Sequence, residues 1–200
     1  MACKGILIIV SAPSGTGKGA IIHKLLEYDP NIRYSVSATT RAPRKGEVPG
    51  KSYHFLSKEE FEKMIERREL VEWDEYCGHY YGTPRHFIEE SNGMGMDVVL
   101  DITVAGALNV RETCPDTVMI FVLPPSMEEL KRRITARGTE EAEAIAKRLE
   151  KARGELHFVE EYEYVVVNDD LEHAAGQILG IIRSERLKVN RNKDILQTIG

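Results

Sequence analysis

The sequence has no long hydrophobic run: no apolar stretch approaches the roughly 20 residues that a membrane-spanning helix needs. The opening "MACKGILIIVSAP" has an apolar run too short for a secretory leader, and it leads into a glycine loop instead of a cleavage site. There is no excess of positive charge either. Against 32 Asp and Glu stand 27 Lys and Arg, a net charge of −5, which argues against a nucleic-acid polymer as partner. Only three cysteines occur, Cys3, Cys77 and Cys114. They are widely spaced and odd in number, which excludes a disulfide framework or a zinc site and predicts reduced thiols in the cytoplasm. No internal repeat and no low-complexity segment is present. What remains, 42% hydrophobic and 30% charged over 200 residues, is the balance of a folded domain. A small phosphorylated ligand stays open, since it needs only a local basic cluster.

The aliphatic residues come in short blocks. Gly5 to Val10, "MDVVLDI" (96–102), "TVMIFVLPP" (117–125) and "YEYVVVND" (162–169) read as strands buried on both faces, the type found in parallel sheets. Helical spacing lies between them. Ile21, Ile22, Leu25 and Leu26 share a face, and further helices are predicted over Val104–Glu112, from Ser126 to Ile134, over Thr139–His157 and over Leu171–Leu187. Ser126 with Glu129 forms a capping box, as does Ser57 with Glu60, which opens a helix from Ser57 to Leu70. Thr83-Pro84 reads as a cap and first-turn proline for another helix that ends near Gly93. The stretch from Tyr34 to Thr83 is otherwise more polar, with alternating patterns and Gly and Pro punctuation, and predicts short antiparallel strands. Strands alternating with helices imply an α/β fold with a doubly wound parallel sheet. Residues from about 35 to 90 are then an insertion, a subdomain at the sheet's carboxyl edge, where ligands bind in such folds.

Several constellations carry chemistry. "SAPSGTGKG" (11–19) joins the first strand to the first helix and matches the phosphate-loop pattern G-x-x-x-x-G-K-[ST] in context. Ala12, Pro13, Ser14, Gly15, Thr16, Gly17, Lys18 and Gly19 fill its eight positions. Glycines let the backbone curl so that N–H groups point inward, and the helix N-terminus adds its positive end. The pattern is broken twice, by Ala12 in place of the first glycine and by Gly19 in place of a hydroxyl that would bind Mg²⁺. Ser37, Arg41, Arg44 and Tyr53 form a second group, which by itself reads more readily as solvated surface. Glu72-Trp73 with Tyr80-Tyr81-Gly82-Thr83 forms a third, which by itself reads more readily as strand core. Asp101 ends an aliphatic strand and either holds a Mg²⁺-bound water or caps the next helix. Arg133, Arg137 and Arg148 form either a charged helical face or a lid over a transferring phosphoryl group.

Taken in order, "SAPSGTGKG", "SVSATTRAPRKGEVPGKSYHF", "GHYYGT", "VVLDI", "LPPSMEELKRRI", "ARGTEE", "AKRLEKA" and "YVVVNDD" resemble the guanylate kinase family from about Gly5 to Leu187. The resemblance implies a P-loop kinase fold and transfer of phosphate from ATP to GMP with Mg²⁺. It implies a core at 1–34, 97–134 and 155–200, a GMP-binding subdomain at 35–96 and a helical lid at 135–154. By the same resemblance, Lys18 and its loop hold the ATP phosphates, and Asn168 and Asp169 lie near the ATP base. Ser37 and Glu72 read guanine with help from Thr83. Arg41, Arg44, Tyr53 and Tyr81 hold the GMP phosphate, and Arg133, Arg137 and Arg148 neutralise charge during transfer. After "VVLDI" the family has a second acidic residue and, two positions on, a glutamine; this chain has Thr103 and Ala105. The acidic residue gives guanine a further acceptor, so Thr103 predicts weaker base recognition. A phosphopeptide-binding module of the same fold, without catalysis, is the alternative. The basic set of Lys18, Arg133, Arg137 and Arg148 speaks for the enzyme. Expected partners are GMP and ATP, with neither nucleic acid nor membrane, and the sequence leaves monomer and homo-oligomer equally open.

Overall fold

A computed structural model describes residues 5–44, 46–76, 78–136 and 142–193. The chain divides into two compact units: residues up to Ile9 with Asn31–Thr117, and Val10–Pro30 with everything from Val118 on. The fold is mixed α/β with a parallel central sheet, as the strand and helix pattern predicts.

The first strand, β1 (Leu7–Ser11), is buried along its whole length. An all-aliphatic strand of this kind is stable only with both faces covered. It lies in the middle of a five-stranded sheet whose order is β2 (Ile32–Ser35), β7 (Asp97–Asp101), β1, β8 (Val118–Leu123) and β9 (Tyr164–Val167). β2 pairs with β7 in parallel, and β8 pairs with β9 in parallel. The predicted strands of the sheet are all present. One differs in character: β9 is not buried on both faces. Val165 and Val167 are exposed, and only Val166 is fully covered. β9 is the edge strand of the sheet, and the face that carries Val165 and Val167 is only partly covered.

In the unit holding residues 31–117, a smaller sheet has the order β4 (His54–Phe55), β3 (Ala38–Thr39), β6 (His79–Pro84), β5 (Leu70–Tyr76). β5 and β6 are antiparallel, with Glu72 opposite Thr83 and Asp74 opposite Tyr81. Its core is Ala38, Phe61 and Leu70. Helix α2 (Lys58–Glu66) supplies Phe61 and carries the full capping box of Ser57 and Glu60. It ends earlier than the predicted Leu70, because Arg68 takes a left-handed φ of 56°. The Arg68 N–H then bonds Ile65 and the Glu69 N–H bonds Met64, which closes the helix and frees Leu70 for β5. Helix α3 (Arg85–Gly93) has Pro84 at its cap, not in its first turn. Thr83 belongs to β6 and has its hydroxyl elsewhere. Helix α4 (Val104–Thr113) is capped by Thr103, not by Asp101.

In the other unit, α1 (Lys18–Tyr28) buries Ile21, Ile22 and Leu25 and packs on α7 (Leu171–Arg186). The ends of this pair are pinned by Lys24–Glu172 at 2.9 Å, Tyr28–Glu172, and Arg186 to the buried Asp29 at 2.8 Å. Helices α5 (Met127–Ala136) and α6 (Ala142–Leu156) share a small core of Leu130, Ile134 and Ala152. Ser126 caps α5 by accepting from the Glu129 N–H at 3.1 Å. The reciprocal half of that box is replaced, because the Glu129 carboxylate binds Arg132 and Arg133.

The left-handed residue at the end of α2 costs a side chain about 1–2 kcal/mol that glycine does not incur. Arg68 is exposed. Arg68→Gly is therefore expected to raise stability by about 0.5–1 kcal/mol after glycine's own entropy is deducted, read as a higher urea midpoint.

Candidate active site

Each unit carries its own group of candidate site residues. The group in residues 10–30 and 118–193 is built on the loop between β1 and α1. Gly15 and Gly17 have φ of 95° and 97°, the left-handed conformation that turns their N–H groups to the inside of the curl. Helix α1 starts at Lys18 with no side-chain cap and no acidic residue in its first turn. A helix start with neither feature keeps its N–H groups and positive end available to an anion.

The loop is held from outside through one backbone oxygen. The carbonyl of Thr16, a residue with no exposed surface, accepts from Asn168 Nδ2 at 2.7 Å and from Arg133 at 3.2 Å. Arg133 also donates to the Asn168 carbonyl at 3.0 Å and to Glu129 at 2.7 Å. Glu129 is held down to about 2 by Arg132 first and Arg133 second. This brings two residues singled out from the sequence, Arg133 and Asn168, onto the phosphate loop itself. Asp169 instead accepts from the Asp170 N–H just before α7. Lys18 and Arg148 lie on α1 and α6. The Glu155 carboxyl, pushed up by burial, is close enough to Lys151 and Lys18 to be pulled back by both. Arg137 lies outside the described residues.

The other group lies in residues 31–117. Glu72 on β5 is 7% exposed, and its Oε1 accepts from the Thr83 hydroxyl on β6 at 2.5 Å. Burial raises its pKa to about 7; the Thr83 bond works against this, and the charge of Asp74 adds to it. Gly106 in the first turn of α4 permits this position, since a Cβ there would come within 2.6 Å of Glu72 Oε2. Ser37 is buried just before β3. Arg41 lies 5.4 Å from the centre of the Tyr53 ring and 5.9 Å from that of Phe55, and it bonds the Tyr81 side chain. Tyr53 and Tyr81 meet edge to face at 6.0 Å. Arg41, Tyr53 and Tyr81 are thus gathered, and Arg44 joins them through its backbone. Asp101 is half-buried at the end of β7, near Tyr34 and Tyr53, whose hydroxyl pKa values its charge helps burial to raise.

Sequence reasoning missed Glu47. It takes both ends of Arg41 at 2.8 and 3.0 Å and the Arg44 N–H at 2.7 Å, so it sets the angle of the basic pair. Gly106 and Asp74 were missed too. A signal for Asp74 was present, since it stands two residues from Glu72 on a strand and so on the same face.

The guanylate kinase family model matches residues 4–185. This chain belongs to the guanylate kinase family. It is 51% identical over 192 residues to the guanylate kinase of Caldanaerobacter subterraneus subsp. tengcongensis, covering 96% of this chain and 93% of that protein. It is 52% identical over 188 residues to the guanylate kinase of Halalkalibacterium halodurans, covering 94% and 92%. Among solved structures, the crystal structure of guanylate kinase from Anaplasma phagocytophilum superposes with a TM-score of 0.79 at 40% identity, covering 94% of this chain and 89% of that one. Guanylate kinases are kinases and nucleotide-binding transferases. No helix among the described residues is long and apolar enough to cross a membrane.

The loop glycines differ sharply in what they tolerate. A Cβ on Gly17 would stand 2.6 Å from Asn168 Nδ2 at a left-handed φ, whereas a Cβ on Gly19 meets nothing within 4 Å. Gly19→Ala is expected to raise stability by about 0.5–1 kcal/mol, as for any open helical glycine. Gly17→Ala is expected to lower it by at least about 1 kcal/mol. Thermal melts of the two variants without ligands check the contrast.

Proposed function

We infer that this chain is an ATP:GMP phosphotransferase: it moves the γ-phosphoryl of ATP onto GMP, giving ADP and GDP. The observation that carries this reading is the pairing, within one unit, of a buried, hydroxyl-held carboxylate, Glu72, with the basic and aromatic group of Arg41, Tyr53 and Tyr81; the other unit carries the phosphate loop.

Phosphoryl transfer needs positioning and charge neutralisation more than covalent help from the protein. Lys18 and the inward N–H groups of the loop hold the ATP phosphates, while Arg133 and Asn168 keep the loop in shape by its Thr16 carbonyl. Arg148 and Arg137 neutralise charge from the 135–154 segment, which acts as the lid. Asn168 and Asp169 border the ATP base. Arg41, Arg44, Tyr53 and Tyr81 hold the GMP phosphate within residues 35–96, with Glu47 orienting the arginines. Glu72 accepts from the guanine N1–H and 2-amino group, Ser37 donates to O6, and Thr83 fixes Glu72. Adenine offers neither N1–H nor a 2-amino group, so it leaves the buried carboxylate with the Thr83 hydroxyl and no donor from the base, a loss of about 1–3 kcal/mol per missing bond.

Mg²⁺ is the ion this chemistry calls for. When bound it would spread the charge of the ATP phosphates, and a hard cation of this kind would call for few protein ligands. No cluster of three or more His, Cys, Asp or Glu occurs among the described residues, which fits an ion carried on ATP better than one caged by protein. Asp101 is the carboxylate assigned to it, through water.

A coupled ADP-release assay with GMP, AMP, UMP and CMP tests the reading. Release with GMP well above the others is expected, and a flat response would overturn it in favour of a phosphopeptide-binding module. The pH dependence is a second test. Glu72 must be ionised to accept from guanine, and its pKa stands near 7. The GMP kcat/KM should therefore fall as pH drops through 7, with a limb that Glu72→Gln removes. The limb from the substrate phosphate, which titrates near pH 6, remains in both. The same shift acts oppositely on the unliganded protein. A carboxyl raised on folding stabilises the fold below its unfolded pKa, and that contribution is lost as pH rises toward 7.

A further inference from the structure

Guanine presents three N–H hydrogens along one edge: one on N1 and two on the 2-amino group. A single carboxylate lying beside that edge accepts two of them, the N1–H and the nearer amino hydrogen. The outer amino hydrogen then needs another acceptor, or it is buried unpaired. Glu72 is the carboxylate assigned to this edge. Its Oε1 already accepts from Thr83, and Oε2 has no partner among the described residues.

Residue 103 does not supply the missing acceptor. Thr103 is the cap of α4, and its hydroxyl oxygen accepts from the Gly106 N–H at 3.1 Å. The hydroxyl's own proton points to Asp74 Oδ2 at 3.4 Å, long for such a bond. Thr103 thus has its proton and one of its two lone pairs engaged and carries no charge, while the Asp74 carboxylate is only weakly engaged by it.

Asp74 stands two residues after Glu72 on β5, so both side chains leave the same face of the strand. Both also border the same turn of α4. Glu72 lies against Gly106 and Asp74 against Thr103. The two carboxylates are close enough for the charge of Asp74 to act on Glu72. Across the ladder, Thr83 stands opposite Glu72 and Tyr81 opposite Asp74, which keeps Asp74 on the side of the residues gathered for the substrate.

We propose that Asp74 is a base-reading residue: its carboxylate accepts from the outer hydrogen of the guanine 2-amino group, supplying from β5 the acidic group absent at residue 103. The inference rests on the assignment of Glu72 to guanine. On this account Thr103 does not leave the base under-recognised. It caps the helix and lets a neighbouring strand provide the charge.

The test compares kcat/KM for GMP and for IMP, which has the same phosphate and N1–H but no 2-amino group. In Asp74→Ala the preference for GMP over IMP is expected to fall about tenfold, the loss of one hydrogen bond to a charged acceptor. Adding Thr103→Asp to Asp74→Ala is expected to restore the preference, because the acidic group returns from the other side of the pocket. If both substrates lose activity in proportion and the ratio stays unchanged, Asp74 is structural and the proposal is overturned. If the alanine variant does not fold, Asp74→Asn carries the same test with a fall of about threefold, since its neutral amide oxygen is a poorer acceptor. An unchanged ratio overturns the proposal there too. Should the parent chain not prefer GMP to IMP at all, the Glu72 assignment itself fails and takes Asp74 with it. A preserved parent preference with an unchanged variant ratio removes Asp74 alone.

Discussion

One backbone oxygen, the carbonyl of Thr16, holds the phosphate loop in shape. A phosphate loop has to stay curled around nothing when it is empty, with glycines in a conformation other residues avoid. Its N–H groups cannot be satisfied internally without destroying the site. Its outward carbonyl can be, and Asn168 and Arg133 both donate to it. Glu129 then fixes Arg133, so the loop is tied to α5 and to the end of β9 by charge-assisted bonds on its outer side. The same arrangement leaves the inner face and the start of α1 for an anion.

The group around Glu72 follows the opposite logic. There a charge is removed from water in advance. Burying Glu72 with a single hydroxyl donor costs free energy, visible as a carboxyl raised to about 7. That cost is recovered when a base brings donors, and only a base with donors in the right places recovers it. On the proposed assignment of Glu72 to the base, selectivity for guanine is stored in the protein as an under-satisfied carboxylate. Gly106 and Thr83 hold it in place from two sides. Glu47 performs a parallel service for Arg41, whose guanidinium would otherwise be a mobile charge above Tyr53.

Much of this was legible in the residues. The phosphate loop was readable because its function is local: strand, glycines, lysine and helix follow each other within a dozen positions. The parallel sheet was readable because a strand covered on both faces must be aliphatic throughout. β9 misled because it has the same composition at a position where one face is only partly covered. Thr83-Pro84 misled because a threonine before a proline suits a helix cap, while here a buried carboxylate eleven residues away claimed the hydroxyl. Glu129 matched a capping box, but two arginines on its own helix competed for the carboxylate more strongly than a backbone N–H.

The sequence by itself determined the class of chemistry, most of the strands and helices though not β2, and the residue types on the phosphate side, because short-range spacing and hydrophobic period encode them. Only the tertiary structure decided which polar groups answer each other. Asn168 reaching Thr16, Thr83 reaching Glu72, and Asp74 beside Thr103 join positions 11 to 152 residues apart. No local pattern records such pairs, since each exists only once separate strands and helices are packed and a buried donor or acceptor takes the nearest partner that water no longer supplies.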